Sequence, residues 1–249
     1  MDPLVIVLLS VTALLAGTVD AIAGGGGLIT VPALLAAGLP PHLALGTNKG
    51  QSVAGSAAAL VAFWRAGRVD RTQALYAFPL GLVGSLVGAE LVLLISKDAL
   101  RPIVIVMLFG AAVLLLVRKP TRAEDAPSRK GAVIAAILAL VIGCYDGFFG
   151  PGTGTFLIVG FVALCGKSLV TATADAKVVN FASNLAAVAA FAHEGSILWE
   201  LSLPMAVGQL CGGLIGARLA LKGGAPLIRT MVLIVSLTLV IKLIYDLVK

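Results

Sequence analysis

Charge is scarce in this chain of 249 residues: Asp, Glu, Lys and Arg make up 12%, about half the share usual in a soluble domain. Aromatic residues are also few, at 6%, as are His (2) and Cys (3). The shortage of charge excludes a soluble enzyme, a nucleic-acid-binding module and a disordered chain. Cys144, Cys165 and Cys211 lie in apolar segments without C-x-x-C spacing, which excludes a disulfide scaffold and a cysteine metal site. They read as buried small residues. His42 and His193 stand far apart in loop-like surroundings and offer no metal spacing, so neither a metal nor a cofactor is expected. The opening Met1-Asp2-Pro3 has no basic stretch of the kind a cleavable signal peptide carries.

What remains is apolar. Hydrophobic residues make up 59% of the chain and the mean hydropathy is +1.08. The apolar runs are long and unbroken, unlike the short alternating strands of a membrane barrel. The expectation is an all-α, polytopic membrane protein. The net charge of +6 comes mostly from Lys and Arg in short loops, the bias of a cytoplasmic membrane face.

Charges mark out the segments. Residues 3–19 are uncharged up to Asp20, and 21–48 hold neither acid nor Lys/Arg but are interrupted by Gly24-Gly25-Gly26-Gly27 and Pro40-Pro41. Further apolar runs cover 50–64, 72–89 (followed by Glu90) and 102–117. The one long hydrophilic stretch is 118–130. The second half repeats the plan: 131–145, then Asp146; 147–166, broken by Gly150-Pro151-Gly152-Thr153-Gly154; then 178–192, 201–217 and a last helix from about Pro226 to Val248.

This is an internal repeat. Lys49 and Lys177, Gly88 and Gly216, and Arg101 and Arg229 each stand 128 positions apart, while Asp20 and Asp146 stand 126 apart. The chain divides into a first transmembrane repeat (1–117), a cytoplasmic linker (118–130) and a second transmembrane repeat (131–249). If each glycine break folds a helix back on itself, each half makes three net crossings and the second half is inverted. That arrangement gathers 65–71, 118–130, Lys167 and Lys222 on the cytoplasmic side.

The matched Gly/Pro breaks inside apolar spans point to a transporter's binding site. Unwound backbone at membrane depth needs protein or a wet cavity around it. A break also leaves helix N-terminal N–H groups free to hold an anion; the alternative is a tight interfacial turn. Lys49 and Lys177 sit within mid-chain apolar segments, and Thr173, Asn180 and Asn184 share a helix face with Lys177. Intramembrane ionisable residues are functional by default, although each lysine could instead snorkel to the interface. The candidate substrate-binding set is Gly24, Gly25, Gly26, Gly27, Thr47, Asn48, Lys49, Gly150, Gly152, Thr153, Gly154, Lys177, Asn180 and Asn184. Asp20, Asp146 and Glu90 are candidates for ion coupling; the alternative for the two aspartates is capping of the breaks. Glu90 and Arg218 occupy equivalent positions and either pair or face opposite membrane surfaces. The small-xxx-small patterns Gly84/Gly88 and Gly212/Gly216 read as helix packing. Asp175 is read as a cap, a partner of Lys177 or an interfacial residue.

The stretch from Gly17 to Leu35, with Asp20 and the four glycines, resembles the opening motif of the TauE/SafE family of sulfite exporters and organosulfonate permeases. Ala44-Leu-Gly-Thr-Asn-Lys49 continues the likeness. Tyr145-Asp-Gly-Phe-Phe-Gly-Pro-Gly-Thr-Gly-Thr155 and Ala174-Asp-Ala-Lys-Val-Val-Asn180 are similar to its second repeat. The resemblance covers nearly the whole chain. It implies two homologous halves, usually described with four membrane segments each, and transport of sulfite, sulfoacetate or another organosulfonate across the inner membrane. The resulting expectation is a non-enzymatic secondary transporter for a small, sulfur-containing anion, working by alternating access and coupled to a proton or other ion. Its partners are the small anion and the lipid bilayer, with no nucleic acid; a homo-oligomer is left open. A passive anion channel is the alternative. An intramembrane enzyme would need a nucleophile or metal cluster that the sequence does not offer, and a scaffold gives no reason for paired lysines.

Overall fold

The computed structural model describes residues 2–96, 99, 103 and 129–248. Among them the chain is all helix: α1 (Pro3–Ala23), α2 (Gly27–Ala36), α3 (Pro41–Arg65), α4 (Arg71–Leu93), α5 (Arg129–Phe148), α6 (Thr153–Cys165), α7 (Leu169–His193) and α8 (Trp199–Val248). The expected apolar helix over 102–117, Arg101 and most of the linker lie outside the described residues. α8 is two helices joined at Gly224, whose φ of 59° and ψ of −156° are not helical.

Among the described residues, four helices are long and apolar enough to cross a membrane: Pro3–Ala23, Arg71–Leu93, Lys130–Phe148 and Trp199–Ile234. Their outer faces are greasy. On α1, Leu4, Val7, Leu8, Val11 and Leu15 are all exposed, at the three- and four-residue spacing of one helix face. α4, α5 and α8 expose Val83/Val87, Ile137/Val141 and Leu203/Val207 in the same way. A multi-pass membrane protein follows. α3 and α7, at 25 residues each, are about 37 Å long. They are polar enough to fall short on hydropathy because they are interior helices: Thr47, Asn48, Lys49 and Gln51 on α3, and Thr173, Asp175, Lys177 and Asn180 on α7, are all buried.

α2 (10 residues) and α6 (13) are too short to span alone. Leu34 and Leu39, at the end of α2 and just beyond it, share an apolar cluster with Leu9, Ala13, Val5 and Ile6 on α1. Gly160 of α6 similarly meets Leu138 of α5. Each glycine break is therefore the tip of a hairpin whose second arm runs back along the first. Helix starts in the two halves recur at the sequence offsets: Pro41 and Leu169, and Arg71 and Trp199, are 128 apart, and Gly27 and Thr153 are 126 apart.

The packing interleaves the halves. α8 lies against α1 and α3, whereas α4 lies against α5 and α7. Two bundles result, one of α1, α2, α3 and α8 and one of α4, α5, α6 and α7, joined mainly where α3 meets α7. The small-xxx-small faces make the tight seams. A Cβ on Gly212 would strike the Leu14 carbonyl of α1, and one on Gly216 the Thr18 carbonyl. At the matching positions, Cβ atoms on Gly84 and Gly88 would strike the Leu140 and Cys144 carbonyls of α5. Backbone contact at this range needs glycine. Cys165 is buried and Cys144 half-buried at the α4–α5 seam, but Cys211 is exposed, since it lies one position before a seam glycine and turns outward.

Because the obstruction is backbone, it cannot be relieved by a rotamer change. Gly212→Leu and Gly88→Leu should each cost at least the roughly 1–3 kcal/mol of overpacking, seen as a lower melting temperature in detergent. Val207→Leu, on the exposed face of the same helix, should melt like the parent.

Candidate functional site

The two hairpin tips meet back to back. α1 ends at Ala23, and Gly24 turns the chain with φ 81° while its N–H donates to the Asp20 carbonyl. A Cβ on Gly24 would collide with the backbone of Gly154, and one on Gly154 with the Cα of Gly24. Position 24 thus needs glycine twice, for its left-handed φ and for this approach. Thr155 Oγ1 donates to the Ala23 carbonyl at 2.7 Å, pinning one tip to the other. The first turns of α2 and α6, with N–H groups that have no partner within their own helix, begin at this junction.

Here the lysines and aspartates pair across the bundles. Lys49 Nζ of α3 stands 2.6 Å from Asp146 Oδ1 of α5. Lys177 Nζ of α7 stands 3.1 Å from Asp20 Oδ2 of α1 and donates to the Asp20 carbonyl at 2.5 Å. Each lysine of one half binds the aspartate of the other. Lys49 is 1% exposed and Lys177 is fully buried, so neither snorkels. The Asp146 carboxylate also accepts from Thr153 Oγ1 at 3.0 Å and from the Ser183 hydroxyl. Asp20 Oδ1 accepts from the Gly26 N–H at 3.2 Å. Asp20 therefore caps the break, one of the two roles left open by its sequence position, and also pairs with a lysine.

A cavity of about 30 Å³ lies among these groups, room for a water or two. Asp20, Gly24, Gly26, Gly27, Asn48, Lys49, Asp146, Gly150, Thr153, Gly154, Asn180 and Asn184 line it, together with Ser52 and Gln209. Lys177 reaches the same cluster through Asp20. Asn48 is held by Thr30 Oγ1 (2.5 Å) and Gln51 Nε2 (2.9 Å), both donating to its Oδ1.

Some of the expected residues are elsewhere. Gly25 and Gly152 are buried in the tips but do not line the cavity. Thr47 is fully buried, yet its hydroxyl accepts the Leu198 N–H at 3.1 Å, tying α3 to the start of α8. Glu90 is exposed, because the buried seam of α4 passes through Gly88 and Ala89 and the next residue rotates away by about 100°. Arg218 is exposed on α8 for the same reason, and the described ion pairs do not include one between them. Asp175 pairs with Lys167 at 2.5 Å rather than with Lys177, and it accepts the Asp70 N–H at 2.8 Å. In the loop, burial works against the Lys167 charge, but Asp175 and Asp70 outweigh it and raise its pKa above the usual lysine value.

Ser183 and Gln209 are the residues sequence reasoning missed. Ser183 lies three residues past Asn180, a spacing that was readable. Gln209, whose Oε1 sits against the positions a Cβ would take on Gly17 and Gly55, occupies the place of Gly81 in the first half. Only the fold brings it to the cavity.

Comparison with known proteins adds the following. A family model described as sulfite exporter TauE/SafE matches residues 9–243. The chain is 41% identical over 246 residues to the probable membrane transporter protein YfcA of Escherichia coli (strain K12), covering 98% of this chain and 91% of that protein. It is 40% identical over 239 residues to the probable membrane transporter protein ORF9 of a Sinorhizobium species, covering 96% and 92%. It is 38% identical over 232 residues to a probable membrane transporter protein of Haemophilus influenzae, covering 93% and 91%. No solved structure matches the chain.

The buried pairs predict a definite pattern of stability. Lys49→Ala leaves the Asp146 carboxylate buried with hydroxyl donors alone and should cost about 3–5 kcal/mol. Adding Asp146→Asn to that variant should recover part of the loss. A double-mutant cycle on detergent melting checks this; additive losses would mean that the pair contributes no coupling.

Proposed function

The chain belongs to the sulfite exporter TauE/SafE family, and from that premise we propose that this multi-pass membrane transporter is a secondary carrier for a small sulfur-containing anion, such as sulfite, sulfoacetate or another organosulfonate, across the inner membrane. The observation that carries the reading is a buried lysine, Lys49, lining a cavity between the bundles beside two short-helix N-termini, with a second buried lysine, Lys177, joined to that cavity through Asp20. An oxyanion is the ligand those groups suit: ammonium groups supply charge, and helix N-termini present N–H donors along a favourable dipole. Asn48, Asn180, Asn184 and Thr153 add polar contacts at its rim.

A carrier is favoured over the channel alternative by the narrowness of this point. A space for a water or two, bounded by two ion pairs, is no continuous aqueous path. Both ion pairs at the site, and the bond that pins the tips together, cross from one bundle to the other: Lys49 to Asp146, Lys177 to Asp20, Thr155 to Ala23. Rocking one bundle against the other about this point would open the cavity to one side and then the other, the alternating access usual for repeat-built carriers.

The test is thermal stabilisation of purified protein by sulfite, sulfate, thiosulfate, sulfoacetate and taurine, with a carboxylate control. Each shift is measured from the variant's own unliganded baseline. A sulfur oxyanion should stabilise the parent, and Lys49→Ala combined with Lys177→Ala should abolish the shift. A shift that survives loss of both lysines would remove them from the site. A shift with the carboxylate alone would overturn the sulfur assignment.

A further inference from the structure

The site contains as much negative charge as positive. Lys49, Asp146 and Asp20 line the cavity, Lys177 pairs with Asp20 from behind, and the other lining side chains, among them Asn48, Thr153 and Gln209, are uncharged. An anion cannot simply be added to this arrangement. To bind a lysine it must take the place of a carboxylate that is already bound. The displaced carboxylate would then be a buried, unpaired charge, which is expensive unless it is neutralised.

We propose that each negative charge of the anion enters together with one proton, which the displaced aspartate takes up from water. The inference rests on the anion-carrier reading and specifies its coupling. A monoanion frees one lysine and protonates one aspartate; a dianion frees both lysines and protonates both. Charge balances at every stage: two ammonium groups face two negative charges before and after, carried first by the protein and then by the ligand. The loaded site is as neutral as the empty one, and the loaded carrier crosses without moving net charge.

The two pairs are not equal, which gives an order. The Asp146 side chain is 5% exposed and its carboxylate accepts from Lys49, Thr153 and Ser183, whereas that of Asp20 is 23% exposed and accepts from Lys177 and the Gly26 N–H. Asp20 is therefore the carboxylate displaced first, and Lys177 is the first lysine to meet the anion. Among the described residues no other titratable side chain lines the cavity. The neighbouring Tyr145 hydroxyl donates to the Pro151 carbonyl at 2.7 Å, and Glu90 and Arg218, on the helices packed against α5 and α1, are exposed on the outer faces. Asn180, on the cavity wall, has a buried Oδ1 without a protein partner, an acceptor that a proton carried into the site can satisfy.

The experiment uses ligands of fixed charge: methanesulfonate as a monoanion, sulfate and thiosulfate as dianions. Dissociation constants are measured on the purified protein from pH 6 to 8, and proton uptake is read by titration calorimetry in buffers of different ionisation enthalpy. The dissociation constant should rise about tenfold per pH unit for the monoanion and about a hundredfold for a dianion. Asp20→Asn, a neutral stand-in for the protonated acid, should still bind the monoanion, with a flat pH profile and no proton uptake. Binding that is independent of pH in the parent overturns this inference and leaves the anion reading standing. So does loss of monoanion binding in an Asp20→Asn protein that melts as a folded species. Absence of binding by any of these anions counts against the anion reading itself, and against this inference with it.

Discussion

Two buried lysines, each neutralised by an aspartate from the other half of the chain, are the constraint on which the rest of this structure depends. A charge at this depth is tolerable only when paired. The pairing requires α1 and α5 to end beside α7 and α3, and it requires their unwound tips to come within backbone contact. That contact explains Gly24 and Gly154. The close seams between α1 and α8 and between α4 and α5 explain Gly212, Gly216, Gly84 and Gly88. At these six positions glycine is thus the geometric consequence of bringing four charges to one point inside a narrow bundle.

The same arrangement gives the molecule its working parts. Apolar faces on α1, α4, α5 and α8 meet lipid, so polar α3 and α7 are free to line the interior. The bundles are held to one another at the site by a few polar contacts, and held within themselves by long seams of small residues. Strong seams and a polar junction favour motion between the bundles over motion inside them. The junction is also where the ligand would bind, so occupancy and movement act on the same bonds.

Much of this was legible in the sequence. The apolar runs gave the helices, and the glycine clusters gave the hairpin tips, because Gly and Pro are costly in a helix interior. The offsets of 126 and 128 located equivalent residues, and eleven of the fourteen proposed binding positions meet at the cavity or its ion pairs, with Thr47 doing a different job and Gly25 and Gly152 buried behind the tips rather than lining it. What was not legible is whatever depends on one half touching the other. The repeat pattern matched Lys49 with Lys177 and Asp20 with Asp146, but it held no sign that each lysine would bind the opposite aspartate. Gln209 was invisible because its partner position in the first half is Gly81. Glu90 misled because charge in an apolar run marks function only when the residue faces inward, and one residue of helical rotation past Ala89 turned it out.

The central claim is that an anion takes the place of the carboxylates at Lys49 and Lys177. The most direct measurement is a structure of the protein with selenate, a heavier tetrahedral oxyanion, located by its anomalous scattering. The selenium is expected within the cavity, its oxygens within hydrogen-bond reach of at least one lysine Nζ, and the corresponding Lys–Asp distance lengthened beyond an ion pair. Selenate bound elsewhere, with both ion pairs intact and the cavity unfilled at saturating ligand, would contradict it.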